Sequence, residues 1–197
     1  MTTSGKPAAA DPLAEETLET RLAYSGQFLR VYEDRVRCPD GHVAPREYLR
    51  HPGAVMVVPL LDDGRLVLER QYRYPLRRTF IEFPAGKIDP GEDILSCAQR
   101  ELREETGYTA REWTYLGGLH NAIGYCDEKI EIYLARGLAF DATVDNDGEV
   151  VEVFTATLEE LLSWIAAASV TDVKTIIGAY WLQQHLAGTW PPRSPAR

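Results

Sequence analysis

The chain has 197 residues, 45% hydrophobic and 26% charged. This is the make-up of one main globular domain with an appendage, and it excludes a mostly disordered chain, a collagen-like repeat and a disulfide-dense mini-protein. Thirty acidic against 21 basic residues give a formal net charge of -9, so nucleic acid or an anionic membrane would need a local basic patch, and an anionic ligand a metal ion between it and the protein.

Residues 1 to about 16, rich in Ala, Pro, Thr and Glu without a period, read as a flexible tail with no apolar core of a secretory signal. FLRVYEDRVRC and VAPREYLRH are strand-like runs on either side of the turn signal Pro39-Asp40-Gly41. Ala54 to Leu61 is apolar and rich in Val, and Asp62-Asp63-Gly64 turns it into a second alternating strand, RLVLERQYR. A helical period runs from Asp93 to Thr106 and ends at Gly107, a fitting C-cap. Further strands are expected at Trp113 to Leu116, Ile130 to Ala135 and Val150 to Phe154. Helices are expected at Leu158 to Ala168 and Val173 to Leu186, followed by a TWPPRSPAR tail. Cys38, Cys97 and Cys126 are odd in number and lack CxxC spacing, so they read as reduced thiols of a cytoplasmic protein, not as a disulfide framework or a zinc site. No run approaches the roughly 18 apolar residues a membrane helix needs.

The chemistry is concentrated in GKIDPGEDILSCAQRELREETGY, residues 86–108. On a helix starting near Asp93, Glu101, Glu104 and Glu105 fall at i, i+3 and i+4 and share one face, beside an apolar stripe of Ile94, Leu95, Ala98 and Leu102. Taken alone, this is either a solvated acidic face compensated by Arg100 and Arg103, or a cluster of hard oxygen ligands for Mg²⁺ or Mn²⁺. The wider spacing decides between them. Gly86, Glu92, Arg100, Glu101, Glu104, Glu105 and Gly107, with Leu102 and Tyr108 at apolar positions, match the Nudix box. Seven fixed residues at roughly 6% background each would coincide by chance on the order of 10⁻⁹ per window. Tyr108 stands where Ile, Leu or Val is commoner, at a packing position outside the chemistry.

The chain therefore resembles the Nudix hydrolases. The resemblance implies an α/β/α sandwich around a mixed sheet and Mg²⁺-dependent attack of water on a diphosphate, with Mn²⁺ as a possible substitute. On the family's pattern Glu101 and Glu105 are the central metal ligands, Glu104 completes the set and the backbone carbonyl of Ala85 is a further ligand. Arg100 and Glu92 are expected to orient the box glutamates.

Outside the box, residues 51–92 resemble ADP-ribose pyrophosphatases and sugar-nucleotide hydrolases, and the likeness extends over roughly residues 27–165. It implies substrate contacts from Arg46, Glu47, Arg73 and Glu82, the arginines gripping phosphate and the carboxylates accepting hydroxyl or amine groups. His120 in the following loop reads as a structural histidine and Cys97 as a packed thiol. Where ADP-ribose hydrolases commonly carry a proline, sixteen residues after the last box glycine, this chain has Ile123. Glu149 and Glu152 are the candidates for a late catalytic glutamate, and Glu149, at a loop-strand junction, is preferred.

The expected organisation is a tail over 1–16, a β-rich dimerisation extension over 17–50, a Nudix domain over 51–188 and a tail over 189–197. The expected activity is hydrolysis of ADP-ribose or a related nucleoside diphosphate sugar, giving AMP and ribose 5-phosphate from ADP-ribose, by a cytoplasmic homodimer that binds neither nucleic acid nor membrane. The alternatives are GDP-mannose or dinucleotide hydrolysis, and a non-catalytic ADP-ribose-sensing domain. The intact glutamates and the lack of a DNA-binding segment speak against the sensor.

Overall fold

The computed structural model describes residues 11–141 and 150–195. The chain divides into two compact units, one made of residues 1–51 with 122–127 and the other of 52–121 with 128–197.

The first unit is an antiparallel meander of β1 (Glu16–Ser25), β2 (Arg30–Arg37) and β3 (Val43–Leu49), in that order. Gly41 closes the β2–β3 turn at φ 91°, a left-handed conformation that glycine adopts at little cost. Every residue of β1 is exposed. Its ion pairs to β2, Arg37–Glu16 at 3.1 Å and Arg35–Glu19 at 3.4 Å, are exposed and contribute little. Residues 122–127 join this unit through hydrogen bonds with β3: Leu49 N–H to the Tyr125 carbonyl at 2.8 Å, and Asp127 N–H to the Leu49 carbonyl at 3.3 Å.

The second unit holds β4 (Ala54–Pro59), β5 (Arg65–Arg73), β6 (Arg78–Glu82), β7 (Ala85–Lys87), α1 (Ile94–Thr106), β8 (Tyr108–His120), β9 (Lys129–Phe140), β10 (Val151–Thr157), α2 (Leu158–Ala166) and α3 (Val173–Leu186). One sheet runs β7-β4-β9-β8, with β4 and β9 parallel and the other pairs antiparallel. A second, antiparallel sheet runs β10-β5-β6. All six residues of β4 are buried, as a central strand covered on both faces requires. Ala54, Met56 and Val58, with Ile130, Ile132 and Leu134 of β9, pack in a core with Leu161 of α2 and Ala179 and Leu182 of α3. The alternate residues Val55, Val57, Tyr133 and Ala135 meet Cys97, Ala98 and Leu102 of α1. The period of two along the strands thus separates the helices into two layers, and the α/β/α arrangement around a mixed sheet follows.

The Asp62-Asp63-Gly64 turn forms, but it does not open a regular hairpin. Leu60, the residue after β4, bridges to Leu66, and β4 and β5 lie in different sheets. The chain-terminal tail is pinned at Trp190, whose indole N–H donates to the Leu116 carbonyl at 2.8 Å and whose ring lies 4.9 Å from that of Trp181.

Candidate active site

Helix α1 starts and stops where its sequence says. Asp93 accepts from Leu95 N–H and Ser96 N–H, both at 3.1 Å, and Gly107 at φ 71° donates to the Arg103 carbonyl at 2.9 Å. Between these caps one face of the helix turns Glu101 and Glu105 inward, each 8% exposed, with Glu104 half-buried at its edge.

Strand β7 receives that face. The Ala85 N–H donates to Glu105 Oε2 at 2.8 Å. A Cβ added to Gly86 would lie 1.9 Å from Cδ of Glu101. The first box glycine is therefore a steric requirement: the Glu101 carboxylate occupies the space that any side chain at position 86 would take.

Arg100 gathers the remaining acids. Its Nε and Nη2 bind both oxygens of Glu92 at 2.9 Å, its Nη1 reaches Glu101 Oε1 at 2.7 Å and Glu104 Oε2 at 3.1 Å, and Nη2 also donates to the Lys87 carbonyl at 3.1 Å. The guanidinium is thus engaged by protein acceptors, three carboxylates and a carbonyl. Its hydrogen bonds, and a lesser one from the Asp89 backbone, hold the Glu92 carboxyl at about 2 against the opposing effect of burial, so Glu92 stays charged far below neutral pH. Cys97, one turn before Glu101, is fully buried, and burial followed by the Glu92 charge pushes its thiol up to about 12. It is a packed, unreactive thiol.

Arg73 and Glu82 meet each other. Glu82 is 2% exposed, and its two oxygens each accept from Arg73 at 2.7 Å. Lys174 also bonds Glu82 and reaches Asp172 Oδ2 at 3.0 Å. Burial raises the Glu82 pKa, but Arg73 and Lys174 outweigh it and hold the carboxyl below its ordinary value. The resemblance implies a substrate contact from Glu82, and in the fold its oxygens accept from Arg73 and Lys174. Nothing local in the sequence points to Lys174, which lies 92 residues from Glu82. Removing Glu82 leaves the buried Lys174 with Asp172 as its carboxylate partner and frees the partly exposed Arg73 toward solvent, so Glu82→Ala is expected to cost about 1–3 kcal/mol of stability, read from the urea midpoint. A loss under about 1 kcal/mol would contradict the network.

In the first unit Arg46 pairs with Glu15, its Nε 2.9 Å from Oε2. Glu47, exposed on β3, stands across from Glu33 and, as the next residue along a strand, faces away from Arg46. Asp127 Oδ1 accepts from His51 N–H at 2.7 Å. Ile123 is 85% exposed. His120 is exposed at the end of β8. Glu152 lies on β10 in an exposed ion pair with Arg70 at 2.9 Å. Glu149 lies outside the described residues.

Comparison with known proteins bears on the family and the fold. The NUDIX domain model matches residues 50–175, and the model of the nucleoside diphosphate sugar hydrolase N-terminal domain matches residues 15–49. An ADP-ribose pyrophosphatase of Bacillus subtilis is 38% identical over 87% of this chain and 94% of its own length. A methanol dehydrogenase activator of Bacillus methanolicus is also 38% identical, over 86% and 92%. A crystal structure of an ADP compounds hydrolase superposes with a TM-score of 0.80 at 24% identity, covering 88% of this chain and 95% of that one, which is a likeness of fold. The chain belongs to the Nudix family and is a Nudix hydrolase.

Proposed function

We propose that the protein is a Mg²⁺-dependent diphosphatase acting on ADP-ribose or a closely related nucleoside diphosphate sugar. The observation that carries this is the pair of buried carboxylates, Glu101 fitted against Gly86 and bonded by Arg100, and Glu105 bonded by the Ala85 N–H. The donor set suits a hard divalent cation: carboxylates of Glu101, Glu104 and Glu105, with the Ala85 carbonyl as a backbone oxygen. Such an ion supplies a water of lowered pKa and neutralises charge on the diphosphate.

The chain's own residues set the geometry of attack. Glu101 and Glu105 hold the ion's ligand positions, and Arg100 keeps Glu101 and Glu104 aligned. Arg73, oriented by Glu82, offers the rest of its guanidinium fork to a phosphate. Glu149 is assigned as the base that takes the water proton. The water oxygen bonds to one phosphorus while the bridging P–O bond breaks, and the bridging oxygen leaves with the other phosphate. ADP-ribose then gives AMP and ribose 5-phosphate. Two relatives of equal identity carry different names, so the substrate has to be measured directly.

The test is kcat/KM for ADP-ribose, ADP-glucose, GDP-mannose and dGTP in saturating Mg²⁺, by release of phosphatase-sensitive phosphate. ADP-ribose is expected to be cleaved alongside other sugars, because this chain has Ile123 where the ADP-ribose hydrolases it resembles commonly carry proline's fixed φ, and discrimination of about 10–200-fold is expected. A preference for dGTP would overturn the assignment.

The same reading includes a homodimer built on residues 17–50. An exposed β1 and the exposed Leu18, Leu22, Tyr24, Phe28 and Leu29 support it, since a three-stranded sheet with so little core gains stability by packing on a second surface. Light scattering at micromolar concentration is expected to give twice the chain mass, and a monomer would refute the dimer alone. Among the described residues no helix is long and apolar enough to cross a membrane, and a cytoplasmic location is proposed on the reduced thiols.

A further inference from the structure

The turn between β2 and β3 carries a group of side chains that diphosphate hydrolysis does not use. It reads Cys38-Pro39-Asp40-Gly41-His42. Cys38 N–H donates to the His42 carbonyl at 2.9 Å and Gly41 N–H to the Cys38 carbonyl at 2.8 Å, so the chain reverses tightly. The reversal brings its first, third and fifth side chains together. The Cys38 sulfur, an Asp40 carboxylate oxygen and a His42 ring nitrogen all lie within 4.8 Å of one another. His42 Nδ1 is 2.5 Å from Asp40 Oδ1.

The surroundings suit a ligand group. Cys38 is buried while Asp40 and His42 are exposed, so the sulfur forms the floor of a site whose mouth is open. The sulfur also accepts from Arg46 Nη2 at 3.5 Å and donates to Glu15 Oε1 at 3.6 Å. Burial, followed by the Glu15 charge, raises the Cys38 thiol above its ordinary range and outweighs the Arg46 guanidinium, so the proton leaves only when a cation takes the sulfur. An independent observation is the poverty of the unit's core. On the three strands and this turn the buried side chains are Asp34, Val36 and Cys38. Small units of this kind gain most from a structural metal.

We propose that Cys38, Asp40 and His42 form a binding site for a divalent cation of the Zn²⁺ class. Thiolate, imidazole and carboxylate are the donors Zn²⁺ takes, whereas Mg²⁺ prefers oxygen throughout. Three protein ligands leave a fourth tetrahedral position for water. Binding drives the thiol proton into solvent and fastens the two strands that flank the turn.

The experiment is a Co²⁺ titration of the full chain in excess Mg²⁺, which keeps the carboxylate cluster of α1 occupied. A thiolate-to-cobalt charge-transfer absorption is expected, saturating at one equivalent per chain and displaced by Zn²⁺. Cys38→Ser should abolish it, and Cys97→Ser and Cys126→Ser should retain it. His42→Ala should weaken Co²⁺ binding at least about tenfold, since even changes beyond the direct ligands cost 10–100-fold. His42 is exposed, so that variant stays informative if Cys38→Ser misfolds. Zn²⁺ should also raise the melting temperature of the parent chain and not of His42→Ala. Absence of the charge-transfer band, its survival in Cys38→Ser, or unchanged affinity in His42→Ala would each overturn the proposal.

Discussion

Glu105→Gln is expected to lower kcat by several orders of magnitude while leaving the fold intact. The structural part of this residue is its hydrogen bond from the Ala85 N–H at 2.8 Å. A glutamine carbonyl oxygen accepts that same bond, so the helix stays fastened to β7. The substitution removes the negative charge that, on the proposed reading, holds the cation, and it is the cation that would neutralise charge in the transition state. Both effects can be read separately, from the urea midpoint and from kcat in saturating substrate. Retention of more than about a tenth of the activity, equivalent to ~1.4 kcal/mol of barrier, would contradict the metal role. A collapse of stability would show that the charge, and not only the hydrogen bond, holds β7 in place.

The parts of the molecule legible in its sequence are those whose signals are local. Helix α1 is bracketed by Asp93 and Gly107 and carries its carboxylates at helical spacing, so its extent and the face it shares follow from about twenty residues. The α3 span is equally well marked, with Asp172 capping the Thr175 N–H at 3.0 Å. α2 opens at Thr157, which with Glu160 forms a capping box, and it ends at Ala166, two residues short of the expected Ala168. Long-range pairing was not legible. Asp62-Asp63-Gly64 announces a reversal, but a turn signal cannot say that the strands on either side then join different sheets. Strand β7 is three residues long and exists through its pairing with β4. Strand β8 runs from Tyr108 to His120, yet the sequence marks only Trp113 to Leu116, because Arg111, Glu112 and the glycines near a register shift blur the alternation.

The site shows the same division. The box named Glu101, Glu104 and Glu105 from spacing. The partners that position Arg46 and Glu82 are Glu15, 31 residues away, and Lys174, 92 residues away. A charge network assembled by tertiary contact leaves no periodic trace, and a lone Lys in TDVKT reads as an ordinary surface residue. The β2–β3 turn shows the converse. Its turn chemistry was clear, but Cys38 carries no CxxC spacing, and the cluster becomes visible once Asp40 and His42 fold back beside it.

Gly86→Ala is expected to cut kcat/KM by at least about a hundredfold with little loss of stability. The added Cβ would sit 1.9 Å from Cδ of Glu101 and 2.0 and 2.2 Å from its oxygens. Those distances are far inside van der Waals contact, so something has to give. Gly86 does not have a positive φ, and alanine suits its backbone conformation. The clash is with the far end of a flexible side chain, which yields more readily than backbone. Glu101 is therefore the group that moves, by more than an ångström, dragging against its bond from Arg100 Nη1 at 2.7 Å. Misplacement on that scale is worth about 10²-fold in rate, even where the fold is undisturbed. A double-mutant cycle with Glu101→Gln separates this account from general disruption of β7. If alanine at 86 acts through Glu101, it costs little further activity once Glu101 is already glutamine. Full additivity of the two losses would show that Gly86 serves the site by another route, through the backbone of β7.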